Sequence, residues 1–193
     1  SSVVYTHEHS DQTNGLFELR PFAFIKRGTK RMDFWGKSNP INVYGNFKTM
    51  NSLKKRFDYC FKKIDIYPSI VKANIFKKKF ALGKLNEKVQ FNTIQAQHGN
   101  LKVTGYIFNK TAYLSDCSDL NIIKKNELKN LNYLIIDCLN TGGNAAHFGL
   151  NECLLINTIL KPKKMILTNI HYTVDYNFLS RLLPRNVVLA YDG

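Results

Sequence analysis

The sequence predicts an α/β (α+β) protein in which sheet packs against helices, and three observations predict it. Residues 64–104 carry short β-rich runs broken by turn signals. Tyr133-Leu134-Ile135-Ile136-Asp137 is a near-continuous apolar run of strand length, as a buried strand requires. Beyond Asp116, strand-like and helix-like segments alternate to the end of the chain.

The elements follow in order. Val3-Val4-Tyr5 reads as a strand, and 15–24 as a short helix or turn. Residues 27–37 are polar and contain Gly28 and Gly36, which suits a surface excursion. Ile41-Asn42-Val43-Tyr44-Gly45 is a strand. Apolar residues at Phe47, Met50, Leu53, Phe57 and Phe61 keep close to a helical period over 47–61, with Thr49 or Asn51 as the cap. Turns are expected at 83–86 and at His98-Gly99-Asn100. The runs 101–108 and 111–114 make a hairpin about Asn109-Lys110. Residues 120–128 read as a helix, 151–160 as a helix before Pro162, and 164–168 as a strand. A helix over 174–183 and a strand over 187–190 complete the pattern. No repeat, linker or low-complexity tract interrupts it.

A chain of 193 residues is of single-domain size, so residues 1–193 are expected to form one domain. An apolar fraction of 44% fits a globular protein, and no apolar run nears the ~18 residues of a membrane helix. The start, Ser1-Ser2-Val3-Val4-Tyr5, resembles a strand interior rather than a signal or transit peptide. A cytoplasmic location and an N-terminally shortened domain are the expectations. The net charge of +14 has two readings. It could draw phosphate-bearing substrates or nucleic acid, or reflect drift in a chain where Lys, Asn and Ile are abundant together. The basic clusters are dispersed, which favours drift. Cys60, Cys117, Cys138 and Cys153 form no CxxC pair, so they are expected to be reduced and buried.

Chemistry concentrates in the histidines. There are five, at positions 7, 9, 98, 147 and 171. The densest segment is Thr6-His7-Glu8-His9-Ser10-Asp11-Gln12. Imidazole and carboxylate are the usual ligands of zinc and manganese. If this segment is a strand end, His7, His9 and Asp11 project from one face, with Glu8 and Ser10 on the other.

Thr6-His7-Glu8-His9-Ser10-Asp11-Gln12, followed by Gly15-Leu16-Phe17-Glu18-Leu19-Arg20-Pro21-Phe22, resembles the HxHxDH motif and Gly-x-x-x-Leu-Arg segment of metallo-β-lactamase-fold hydrolases. The nearest branch is the PhnP-like group, whose namesake is a phosphodiesterase acting on a ribosyl cyclic phosphate. The likeness continues in order through Gln97-His98-Gly99, Gly105-Tyr106, Tyr113-Leu114-Ser115-Asp116, His147-Phe148, Thr168-Asn169-Ile170-His171 and Ala190-Tyr191-Asp192-Gly193. It implies a metallo-β-lactamase αβ/βα sandwich lacking its first strands. It implies His7, His9 and His98 as ligands of a first metal ion, Asp116 as a bridging carboxylate, and Asp11 with His171 at a second ion. His147 is implied to face the substrate phosphate and donate a proton to the leaving oxygen. Catalysis would fall to Asp11, Asp116 and His147. Arg20 would meet phosphate or serve structure, with structure preferred.

Two positions depart from the pattern. Gln12 stands where the motif has His, and Asn169 stands where one version of the late motif has His. If 169 and 171 share a strand face, His171 reaches the second ion. The departures leave the second site weak, selective for a harder ion such as manganese, or empty. The expected cofactor is one or two zinc or manganese ions, and the expected reaction is phosphodiester hydrolysis. The expected partner is a small phosphorylated substrate, nucleotide or cyclic phosphate, ahead of nucleic acid. No membrane partner is expected, and a homodimer is left open. Rival readings are an RNase Z-like RNA-processing nuclease, a β-lactam or thioester hydrolase, and a degenerate non-catalytic nucleotide-binding protein.

Overall fold

A computed structural model describes residues 2–24, 39–83 and 87–192. The polar excursion over 27–37 and the body of the turn at 84–86 lie outside them. The chain divides into two compact units, Ser1–Lys77 and Lys78–Gly193.

The first unit is a three-stranded sheet in the order β1 (Ser2–Val4), β2 (Ile41–Gly45), β3 (Val71–Ile75). Both pairings are parallel. Parallel strands need crossover connections, and these carry the helices. Between β1 and β2 lie α1 (Ser10–Thr13), a 3-10 turn (Asn14–Leu19) and α2 (Arg20–Phe24). Between β2 and β3 lie α3 (Phe47–Arg56) and α4 (Asp58–Phe61). Asn46, rather than Thr49 or Asn51, caps α3: its side-chain oxygen accepts the Thr49 N–H at 2.8 Å. The single helix expected over 47–61 is two, because Phe57 leaves helical dihedrals at φ −125°, ψ 40°. The period persists across the break, and Met50, Leu53 and Cys60 join Leu16, Val43 and Val71 in one core.

The second unit is a seven-stranded mixed sheet in the order β10-β9-β8-β7-β6-β5-β4. The strands are β4 (Lys79–Leu82), β5 (Val89–His98), β6 (Leu101–Phe108), β7 (Thr111–Leu114), β8 (Tyr133–Asp137), β9 (Lys164–Thr168) and β10 (Val187–Leu189). From β4 to β7 the neighbours are antiparallel, and from β7 to β10 they are parallel. The β6–β7 hairpin turns on Asn109 and Lys110, whose φ of 46° and 58° are those of a type I′ turn. The helix expected over 120–128 is two 3-10 turns, Leu120–Lys124 and Asn126–Leu128. Asp119 accepts the N–H of Asn121 two residues on, a local bond that competes with α-helical pairing. Helices α5 (Leu150–Leu160) and α6 (Tyr176–Leu182) complete the unit. Cys153, Ile156 and Leu160 of α5 recur at helical spacing and enter a core with Leu134 and Ile136 of β8 and Met165 and Leu167 of β9.

The sheet orders chemistry by its strand ends. β7, β8 and β9 run parallel, so their carboxyl ends lie along one edge. Asp116 follows β7, Asp137 closes β8 and Asn169 follows β9. Open parallel sheets carry ligands at this edge. Among the described residues no helix is long and apolar enough to cross a membrane.

Leu134 is fully buried in β8, between β7 and β9. Leu134→Ala is expected to cost about 2–5 kcal/mol, since it removes three buried carbons and leaves a cavity. Urea unfolding followed by circular dichroism reads that loss.

Candidate metal centre

In the first unit, β1 delivers the chain to the His segment. The Tyr5 N–H still pairs with the Tyr44 carbonyl at 2.8 Å, after which the backbone leaves the sheet. His7 is buried, with its Nδ1 3.0 Å from the Thr6 hydroxyl. His9 stays extended (φ −61°, ψ 151°) as the residue before α1, and its ring lies edge-on to His7 with centroids 4.6 Å apart. The shared face ends there. The chain turns helical at Ser10, so Asp11 sits in the first turn of α1, exposed, taking the Gln12 amide at 3.1 Å. The strand-face expectation for Asp11 is therefore corrected: strand periodicity does not survive a helix start.

Glu8 points to α3, with its carboxylate 2.7 Å from the Lys48 ammonium and accepting from the Thr49 hydroxyl at 3.4 Å. Burial acts to raise its pKa, but the Lys48 hydrogen bond and charge outweigh it, and the net shift is downward. Arg56 holds the same segment, donating to the Glu8 carbonyl, the Ser10 hydroxyl and the Thr13 hydroxyl. In the sequence Arg56 closes the basic cluster Lys54-Lys55-Arg56, one of the dispersed clusters, and its spacing carries no sign of a clamp 43–48 residues away. Arg20 lies over the rings of Phe17, Phe24 and Tyr67, 5.4–5.9 Å from their centroids. That packing engages the face of the guanidinium.

In the second unit, His98 ends β5 and is buried. Its Nδ1 lies 2.7 Å from the Ala146 carbonyl. A carbonyl only accepts, so Nδ1 carries the proton, and the neutral form of the ring has its lone pair at Nε2, the form a metal ligand needs. That Nε2 is 3.6 Å from Asp116 Oδ2. Asp116 is buried, and its Oδ1 accepts from the Ser115 hydroxyl at 2.9 Å and the Asn169 amide at 3.0 Å.

Asp137 went unnoticed in the sequence, where it closes an apolar strand. It is fully buried. Its Oδ2 accepts from His147 Nδ1 at 2.8 Å and from the Cys117 N–H at 3.2 Å, and its Oδ1 accepts from the Asn169 amide at 3.2 Å. Burial pushes its carboxyl pKa up, and these donors with the His147 charge pull against that rise. An acid where the run predicts an apolar residue was the available signal. The His147 ring is partly buried and lies 4.8 Å, centroid to centroid, from that of His98. Asp116, Asp137 and His147 each offer a ligand atom within 4.8 Å of the others.

His171 and Asp11 fall outside the donor groupings found among the described residues. β9 ends at Thr168 and Asn169 takes a left-handed φ of 66°, so 169 and 171 share no strand face. That premise for His171 is corrected. Its Nδ1 lies 2.8 Å from the Thr173 hydroxyl and takes the Thr173 N–H, while its ring lies against Tyr172. Asn169, read as a departure from the motif, is the residue that reaches both Asp116 and Asp137.

Asp137→Ala strips the acceptor from three donors in a buried place. The expected cost is roughly 3 kcal/mol, measurable by guanidinium unfolding.

Comparison with known proteins places the chain in a family. Residues 1–172 match the Beta-lactamase superfamily domain. Among solved structures, a diphosphatase of the PhnP family is 28% identical with a TM-score of 0.78, over all of this chain and 68% of that one. The metallo-beta-lactamase fold protein YhfI from Bacillus subtilis is 14% identical with a TM-score of 0.68, over all of this chain and 76% of that one. A curated relative, described as an octanoyltransferase from Porphyromonas gingivalis (strain ATCC BAA-308 / W83), is 23% identical over 194 residues. That match takes in all of this chain but only 37% of the relative's length. The likeness read from the ordered motifs is borne out: the chain belongs to the beta-lactamase superfamily and has the metallo-beta-lactamase fold, with a PhnP-family enzyme among its structural neighbours.

Proposed function

We propose that the protein is a metal-dependent hydrolase that cleaves phosphodiester bonds in a nucleotide-like or cyclic phosphate. The observation that carries the reading is the pairing within the second unit: His98, its lone pair turned to Nε2 by the Ala146 carbonyl, lies beside Asp116, and His147 lies beside it with Nδ1 on Asp137. The donor set fits a divalent ion, since neutral imidazole and carboxylate are what zinc and manganese take.

In this reading His7, His9, His98 and Asp116 hold the ion, with Asp11 and His171 as candidates for a second. The family resemblance supports that set. When bound, such an ion acidifies water and draws charge from phosphate oxygens. The chain's own residues supply the rest. Asp116 or Asp11 holds the attacking water in place, and Ser115 and Asn169 fix one oxygen of Asp116. His147 in its protonated form delivers a proton from Nε2 to the leaving oxygen, while Asp137 fixes Nδ1–H and stabilises the cationic ring. The net charge of +14 favours an anionic substrate. The PhnP-family diphosphatase at 28% identity supports phosphate chemistry. Thiol-based acyl transfer gains no support: all four cysteines are buried and free, and burial raises the pKa of Cys60 and Cys117.

His7→Ala, His98→Ala and Asp116→Ala are each expected to drop hydrolysis of an aryl phosphodiester and a nucleoside cyclic phosphate to background. Bound zinc or manganese should fall while circular dichroism stays that of the parent. A chelator should abolish activity, and added zinc or manganese should restore it. Parental activity in any one of the three variants defeats the assignment. Cleavage of precursor tRNA with no action on small diesters moves the substrate to RNA. A parent that retains no metal and cleaves neither is a binding protein instead.

A further inference from the structure

We propose that Asn144 is a positioning residue that sets the ring orientation of His98 and His147 together, through the one peptide unit that joins Ala146 to His147. The proposal rests on the reading of those two histidines given above. The Asn144 side-chain oxygen accepts two successive backbone N–H groups, Ala146 at 2.8 Å and His147 at 2.9 Å. The His147 N–H and the Ala146 carbonyl belong to the same planar trans peptide, so they point in opposite directions. Fixing the N–H on Asn144 therefore aims the carbonyl, and that carbonyl receives His98 Nδ1 at 2.7 Å. The residue after the carbonyl is His147, whose Nδ1 meets Asp137 at 2.8 Å. One amide oxygen thus governs which nitrogen His98 turns outward and where the His147 ring begins.

The rest of the loop is built to hold this unit still. The Asn144 N–H returns to the His147 carbonyl at 2.9 Å. Asn140 accepts the N–H groups of Gly142 and Gly143 at 2.9 and 2.7 Å. The Phe148 N–H reaches the Cys117 carbonyl at 2.7 Å, next to Asp116. At the neck, Gly143 and Gly149 bring their backbones so close that a Cβ on either would collide with the other's backbone, and Gly143 has a φ of 63°. With the neck shut and both ends paired, the freedom left to the 146–147 peptide is rotation about its own flanking bonds. Asn144 removes it.

The test compares Asn144→Ala, which deletes the acceptor, with Asn144→Asp, which keeps it. Nitrogen-15 spectra of the five histidines, recorded on metal-free protein, read the tautomers directly. The parent and Asn144→Asp should show His98 and His147 protonated at Nδ1, and Asn144→Ala should show mixed tautomers at both. Buffered zinc titration should show affinity lowered by roughly 10- to 100-fold in Asn144→Ala, the usual cost of losing a group that orients a ligand, and little changed in Asn144→Asp. Asn144→Leu, close in volume and without the acceptor, replaces the alanine variant with the same expected readings should that fail to fold. Parent-like tautomers and zinc affinity in Asn144→Ala overturn the proposal, as does an Asn144→Asp variant as impaired as alanine. None of these readings needs a substrate. A parent inactive on phosphodiesters sinks the functional reading and leaves this one standing or falling on its spectra.

Discussion

The second unit depends on making a buried carboxylate tolerable. Asp137 sits at the carboxyl end of a central strand with no solvent exposure. A charge there is expensive unless every lone pair finds a donor. The fold provides a backbone N–H from the segment after β7, an imidazole from the loop before α5, and an amide from the turn after β9. Each donor comes from a different connection, so satisfying Asp137 fixes three loops at once. Two of those connections also bear on Asp116: one contains it, and the other supplies the Asn169 amide. The polar edge is thereby wired as one network, in which members reinforce each other's placement.

Much of the fold was legible, and the reasons are local. Ile41–Gly45, Tyr133–Asp137 and Lys164–Thr168 fall where alternation or continuous apolar character placed them. The hairpin at Asn109-Lys110 was legible because Asn accepts a left-handed backbone and two strand-like runs flank it. The errors came where a period outlasts its element. Apolar spacing runs through Phe57, yet the backbone breaks there; the helix-like stretch at 120–128 is captured by an Asp119 side chain. The same error recurs at the site, where strand periodicity was extended to Asp11 past a helix start and to His171 past a left-handed Asn169.

Metal-type donors were legible because histidine beside carboxylate is a rare pattern, and the ordered motifs pointed to a family that the comparisons support. The residues that orient those donors were not. Asp137, Asn144, Arg56 and the Ala146 carbonyl act through hydrogen bonds whose partners are set by topology, and three of the four reach across ten or more positions to side chains no spacing rule connects. A backbone carbonyl has no letter of its own, so the His98 tautomer is invisible until the chain is folded.

The four thiols give the protein a built-in reporter of its own opening. Cys60 lies in the core of the first unit, and Cys117, Cys138 and Cys153 lie in that of the second. All four are sealed from solvent and unbridged. An alkylating reagent can reach them only when the surrounding structure parts, so modification of Cys60 times the opening of one unit and modification of the other three times that of its neighbour. The order in which the sulfurs are modified thus records which unit opens first.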